Sequence, residues 1–263
     1  QGLISAMRQC YWVAFVLGLT VAFLRLKFLK ETLTTKAPAM GLRSLPRIVK
    51  EAYAGIFETI KWLPRHFRPV VVLQVIQTTF IAMAAPFWIY YATRALEIKA
   101  SDWGTAMLFS GLTGMLLILP VGYMVDRFGS RKVILVSMIL APIAVTLFLR
   151  ATGFWSLVLT LVILSMSNSM VTPSWASLIA DMVKRDRRGR INALIGENGI
   201  TTSTQRLQGG GILLVVPGSL GASIGGYLVE WNIYSPFIIL LCALVGCLLF
   251  LSLIHISEPT RPY

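Results

Sequence analysis

KVILVSMILAPIAVTLFLR, from Lys132 to Arg150, carries seventeen residues between its terminal charges without one ionisable side chain. That is within the range of about 17–25 residues over which an α-helix crosses the hydrocarbon core of a bilayer. In lipid only helices and closed barrels satisfy their backbone groups, and a barrel strand needs just about 9–11 residues. The stretch therefore reads as a transmembrane helix. Pro142 in its middle is tolerable there, because neighbouring helices and local adjustments re-satisfy the freed carbonyl.

Moving outward in both directions, the same pattern repeats. Apolar spans are read at 9–28, 69–92, 104–124, 132–150, 155–176, 208–229 and 233–250. Most carry an internal proline: Pro86, Pro120, Pro142, Pro173, Pro217 and Pro236. Hydrophobic residues make up 56% of the chain and charged residues 13%, with a mean hydropathy of +0.73. A soluble domain carries about 25% charged residues. The fold class is accordingly all-α and polytopic, with seven transmembrane helices.

The net charge of +13 would point to nucleic acid in a soluble protein. Here it is segregated between spans, and nucleic-acid binding is not expected. Nineteen Lys and Arg fall on one side of the alternating spans, among them Arg25, Lys27, Arg127, Arg131, Lys132, Lys184, Arg185 and Arg206; the other side holds Arg8, Arg94, Lys99 and Arg150. The positive-inside rule makes the basic side cytoplasmic. In the longest connection, 30–68, Ile48, Ala52, Ile56, Ile60 and Leu63 recur opposite Lys50, Glu51, Glu58 and Lys61. That spacing predicts a short amphipathic helix on the membrane surface, acting as a stiff linker.

Between the third and fourth spans stands Gly122-Tyr-Met-Val-Asp126-Arg127-Phe-Gly129-Ser130-Arg131-Lys132. Gly122 lets a helix end approach a neighbour, and Gly129 permits a tight turn. Asp126 suits the positive N-terminal end of another helix, and the three cations suit the cytoplasmic face. The segment resembles the loop motif of the major facilitator superfamily, with Ser130 where that family often has its first basic residue. Asp181-Met-Val-Lys-Arg-Asp-Arg-Arg188-Gly189-Arg190 is similar to the loop that follows the family's tenth helix. The resemblance implies that residues 1–29 are the sixth helix of an N-terminal bundle otherwise missing. It further implies that 30–68 join the two halves and that 69–250 form the C-terminal six-helix bundle. Residues 251–263, LSLIHISEPTRPY, resemble translated read-through of a sequencing-library adapter and are read as non-native.

Such transporters bind solute near the midplane between the two halves. Polar side chains that share a helix face are then candidates for a cavity wall. Gln74, Gln77 and Thr78 share one face of the 69–92 span; Ser165, Asn168, Ser169 and Thr172 share one face of the 155–176 span. Gln77 and Asn168 lie at matched depth. For the hydroxyls, packing or backbone bonding is the favoured role; for the two amides, cavity lining and interhelical bonding stand even. Gly221 and Gly225 form a small-xxx-small face for close helix packing. The glycines at 209–211 have no preceding strand and no following Lys-Ser/Thr, so they are not a phosphate cradle.

No Asp, Glu, Lys, Arg or His lies deep within a span, so a proton-coupling group is expected outside this half, if one exists. Cys10, Cys242 and Cys247 lack metal or disulfide spacing. One histidine (His66) outside the tail and no paired intramembrane carboxylates argue against a membrane enzyme. No metal or cofactor is expected. The partners expected are the lipid bilayer, a small-molecule solute and the missing N-terminal half. The resemblance implies transport by alternating access in a prokaryotic inner membrane, with efflux of an amphipathic organic compound favoured over anion uptake. A non-transporting sensor or scaffold on the same fold is the alternative, and half a transporter is not expected to transport alone.

Overall fold

The computed structural model describes residues 2–28, 60–63, 67–183, 187–196 and 211–257. The chain divides into two compact units, Gln1–Glu51 and Ala52–Tyr263. The first contains α1 (Gly2–Phe28), an apolar helix with Arg25 and Lys27 in its last turn. The linker segment expected to be amphipathic lies outside the described residues, except for Ile60–Leu63.

The second unit is a helical bundle. Its elements are α2 (Arg68–Ala84), α3 (Trp88–Arg94), α4 (Ala100–Phe128), α5 (Ser130–Leu149), α6 (Phe154–Met182), α7 (Arg188–Ile195), α8 (Ile212–Trp231) and α9 (Ser235–Ser257). By length and composition, Arg68–Arg94, α4, α5, α6, α8 and, in the first unit, Met7–Phe28 are apolar enough to cross a membrane; Ser235–Leu251 is a shorter apolar helix. α4 and α6, with 29 residues each, rise about 44 Å, well beyond a hydrocarbon core about 30 Å thick. Their ends therefore carry the motif residues clear of the core. α9 continues into the tail read as adapter-derived, since LSLIHI is an apolar helical run whatever its origin.

Two local features add to the spans read from sequence. The 69–92 span is one candidate crossing, Arg68–Arg94, within which a 3₁₀ turn at Ala85–Phe87 separates α2 from α3. Pro86 lacks the N–H that would continue the α-helical ladder, and its ring crowds the preceding turn. Within the second basic segment, Arg188–Ile195 forms a short helix, α7.

α2 packs against α8 and α9, α6 packs against α4 and α5, and α5 meets α9. Exchanging α2 with α6, α4 with α8 and α5 with α9 maps this set of contacts onto itself. Each set holds three spans, so the two run in opposite directions: an inverted repeat. Aromatic side chains fill the end of the bundle away from the basic loops. There Trp88, Tyr91, Phe148 and Phe237 are buried, with the Trp88 and Phe148 ring centroids 4.4 Å apart. Offset or edge-on ring pairs of this kind add stability beyond area burial.

Candidate functional site

α8 lies on α2 through glycine. Gly221 and Gly225 are buried, and a Cβ at either would overlap α2 backbone, at the Thr79 carbonyl oxygen and the Met83 carbonyl oxygen respectively. Glycine alone lets the two backbones approach this closely. The symmetry-related contact of α4 with α6 is closed differently. Ser110 Oγ donates to the Leu161 carbonyl at 3.1 Å, and Ser165 Oγ donates to the Ser110 carbonyl at 2.6 Å. Gly114 leaves room for this pair, since a Cβ there would come within 3.0 Å of Ser165 Oγ and 3.7 Å of Ser169 Oγ.

The two candidate polar faces divide accordingly. On α2, Gln74 and Thr78 point into the bundle and are buried, whereas Gln77 is half-buried. Gln74 is 2% exposed, and its Nε2 has no hydrogen-bond partner among the described residues. On α6, Ser165 and Ser169 face α4, with Ser169 Oγ also donating to the Ser165 carbonyl at 2.9 Å. Asn168 and Thr172 are half-buried. Ser167, absent from the sequence reading, donates to the Ser137 carbonyl at 2.8 Å and joins α6 to α5. α2 and α6 pack on their own partners rather than along each other. Gln77 and Asn168 thus keep partial exposure on separate helices. Interhelical serine bonds in membrane proteins average about 0.6 kcal/mol and reach about 1.7. Ser165→Ala should accordingly lower thermal stability in detergent only slightly, with no added loss when Ser110→Ala is combined beyond the sum of the two.

At the basic end, α4 stops at Gly129, whose φ of 85° and ψ of 149° serve as C-cap of α4 and N-cap of α5. Gly129 N–H donates to the Val125 carbonyl at 2.9 Å. Asp126, Arg127, Arg131 and Lys132 are exposed, while Gly122 is half-buried with open space where a Cβ would stand. The Arg127 guanidinium reaches the Tyr123 hydroxyl at 3.2 Å and lies over the Phe128 ring at 5.7 Å.

The second basic segment is more tightly built. Arg188 donates from Nε to the Val183 carbonyl at 3.0 Å and from Nη2 to the Ala180 carbonyl at 2.7 Å. A cation there satisfies carbonyls that the end of α6 leaves without intrahelical partners and suits its negative pole. Asp181, Gly189 and Arg190 are exposed. Below Arg188, Ile191, Leu194 and Ile195 of α7 are buried among Leu63, Phe67, Val71, Trp175, Leu178 and Leu214. Sequence reasoning passed over this cluster, although the i, i+3, i+4 spacing of those three apolar residues was its signal.

A family model described as Major Facilitator Superfamily matches residues 70–263. The chain belongs to the Major Facilitator Superfamily. It is thus an integral, multi-pass, all-α membrane protein of a transporter family. Among curated proteins, the chain is similar to the Quinolone resistance protein NorA of Staphylococcus aureus. With strain Mu50 / ATCC 700699 it shares 27% identity over 170 residues, 63% of this chain and 39% of the relative. The strain N315 protein matches to the same extent, and that of strain MRSA252 at 26% identity. The match thus spans about two fifths of the length of these relatives.

Proposed function

We propose that this chain is the C-terminal part of a secondary active transporter that exports amphipathic organic solutes by alternating access. The six spans after residue 68 form one bundle in this reading, and residues 30–68 join it to an N-terminal partner bundle. The basic loops face the cytoplasm, and the membrane is the inner membrane of a prokaryotic cell. The superfamily match supports transport, and similarity to quinolone resistance proteins supports an organic solute, with export as the direction that resistance would call for.

One observation carries the solute class. From Val70 to Ala92, Ala106 to Val125, Val133 to Leu149, Phe154 to Ala180 and Ile212 to Val229, every polar side chain is neutral. A wall of aliphatic groups with isolated amides fits a solute with a large apolar body and a few hydrogen-bonding groups. An anion site would call for a basic residue at that depth. The half-buried residues Gln77 and Asn168, the latter with its Oδ1 buried, are the groups proposed to meet the solute; Gln74, Thr78, Ser165, Ser169 and Thr172 support them from within the bundle. A group that couples transport to protons is proposed to lie outside this chain.

The test is dye and fluoroquinolone efflux from cells lacking their own export pumps, expressing the full-length protein. Gln77→Ala and Asn168→Ala should each weaken solute handling by roughly five-fold, the equivalent of one lost hydrogen bond of about 1 kcal/mol. Membrane levels should match the parent. Parental efflux in both variants would remove these residues from the path. A parent that exchanges no solute in liposome counterflow would replace the transport reading with a sensor or scaffold.

A further inference from the structure

α2 and α6 each pack along other helices, yet their side chains meet at two levels. Near the basic end, the Phe67 ring at the entry to α2 lies 6.4 Å from the Trp175 ring of α6, centroid to centroid. The two helices run antiparallel, so equal steps from that contact lead to the next facing level. Seven residues along each helix stand Gln74 and Asn168; seven further stand Ile81 and Leu161, both buried in one apolar cluster. Seven residues make about two helical turns. Phe67, Gln74 and Ile81 therefore share one stripe of α2, and Leu161, Asn168 and Trp175 share one stripe of α6. The facing stripes are apolar at both ends and polar in the middle.

Two donors enter that middle layer without an acceptor. Gln74 is 2% exposed and Trp175 7%, and neither Gln74 Nε2 nor Trp175 Nε1 has a hydrogen-bond partner among the described residues. Side chains on a helix lean toward its N-terminus. Between antiparallel helices this turns Gln74 toward the basic end and Trp175 away from it, into the space between their levels. The residues at that intermediate level, Val71 and Thr172, are smaller than the rings and the leucine at the two ends. A buried donor left unpaired costs its full desolvation, so a pair of them calls for an account. Trp88, also a buried indole, has one: the Phe237 ring stands edge-on to it at 5.3 Å and 83°, an arrangement that an N–H···π contact requires. Phe67 is tilted by only 38° to Trp175 and offers no such face. Ser174 Oγ is likewise without a partner among the described residues, but it lies seven residues from Ser167, on the stripe that meets α5.

We propose that Gln74 and Trp175 hold a buried water molecule between α2 and α6. Its oxygen accepts from Gln74 Nε2 and from Trp175 Nε1. Its hydrogens point to acceptors on the α6 stripe, the Thr172 hydroxyl and the buried Asn168 Oδ1. Buried waters typically make about three hydrogen bonds to polar groups of this kind. Gln74 is then a positioning residue that ties α2 to the polar stripe of α6, not a group that meets solute. The water site follows from the fold and does not depend on the transport reading.

The experiment is nuclear magnetic resonance of the full-length protein in lipid nanodiscs, with isotope-labelled tryptophan side chains. The Trp175 indole signal is the one lost in Trp175→Phe, a change that keeps a ring against Phe67. In the parent that signal should show a cross-peak to water of the sign given by a long-lived contact. Gln74→Leu should abolish the cross-peak while the indole signal itself remains. Thermal melts supply a second readout. Gln74→Leu and Trp175→Phe should each melt below the parent, whereas the double variant should melt above Gln74→Leu, because no donor is then left facing an apolar wall. A parent signal with no water contact would overturn the proposal, and so would a contact that survives in Gln74→Leu. Additive losses in the double variant would overturn the joining of Gln74 and Trp175 through one water. Should Gln74→Leu fail to fold, the parent cross-peak alone still decides whether a water is held there.

Discussion

Gly225→Leu, and likewise Gly221→Leu, will yield no folded, monodisperse protein on solubilisation, while Gly226→Ala will be recovered at the parental level. The three positions lie within six residues of one helix, so their divergence has to come from what each faces. Positions 221 and 225 are buried against the Thr79 and Met83 carbonyls of α2, and even a methyl group at either would overlap those oxygens. The obstruction is backbone. No rotamer change relieves it, and α8 would have to part from α2 by over an ångström to restore ordinary van der Waals distance. Parting would forfeit the close packing that drives association of helices in lipid, where no hydrophobic effect between them replaces it. Gly→Ala at 221 or 225 should cost about 1–3 kcal/mol by overpacking alone, and leucine should exceed what the interface can absorb. A Cβ at Gly226 meets nothing within 4 Å. There alanine removes only the helix penalty of glycine, worth up to about 1 kcal/mol in its favour. Size-exclusion profiles and thermal melts of the variants in detergent check all of this. Gly225→Leu eluting and melting with the parent would mean that α2 and α8 are not packed through these glycines.

The contrast between Gly225 and Gly226 also marks what could be read from sequence. Hydropathy shows the spans because lipid imposes a condition on every residue of a crossing helix, so α5 or α8 announces itself without reference to its neighbours. The i, i+4 spacing of Gly221 and Gly225 picks out a face by the same logic. What a face meets is a different matter. Ser165, Asn168, Ser169 and Thr172 share one stripe of α6, yet Ser165 bonds to the Ser110 carbonyl of α4 and Asn168 keeps partial exposure. The choice depends on Gly114 of the distant helix α4 leaving space for a hydroxyl. Prolines show the same limit. Of Pro86, Pro120, Pro142, Pro173 and Pro217, only Pro86 sits at a 3₁₀ break, whereas the others lie inside continuous helices. Whether a proline breaks or bends a helix is decided by the surrounding packing, not by the ring alone. The Arg187 guanidinium lies 4.2 Å from the centroid of the Trp62 ring, a contact with no local sequence pattern, since only the tertiary fold brings the two residues together.

Gly129 shows the opposite case, in which one residue of a motif has a local and testable reason. Its φ of 85° with ψ of 149° lies near the extended positive-φ region that is essentially restricted to glycine. One residue there reverses the chain between two long helices: its N–H closes the last turn of α4 on Val125, and its carbonyl receives Val133 N–H at the start of α5. A Cβ at this position would meet no atom within 4 Å, so any penalty is conformational and not a matter of crowding. Gly129→Ala should therefore cost about 1–3 kcal/mol, or very roughly 2–12 °C in melting temperature for a domain of this size. Gly129→Asn discriminates further. Asparagine enters the compact left-handed region readily, and would rescue the turn if a positive φ were the whole requirement. At ψ near 149° that region is not the one occupied, so asparagine should melt no higher than alanine. The penalty should also show at Val121, Val125 and Val133, which are buried with Met170 directly beneath the turn. A cysteine placed at Val125 should react faster with maleimide in the Gly129→Ala background than in the parent. Parental melting of both Gly129 variants would mean that the turn relaxes into a conformation any residue can adopt, and would remove the backbone reason for a glycine in the Asp126–Lys132 loop.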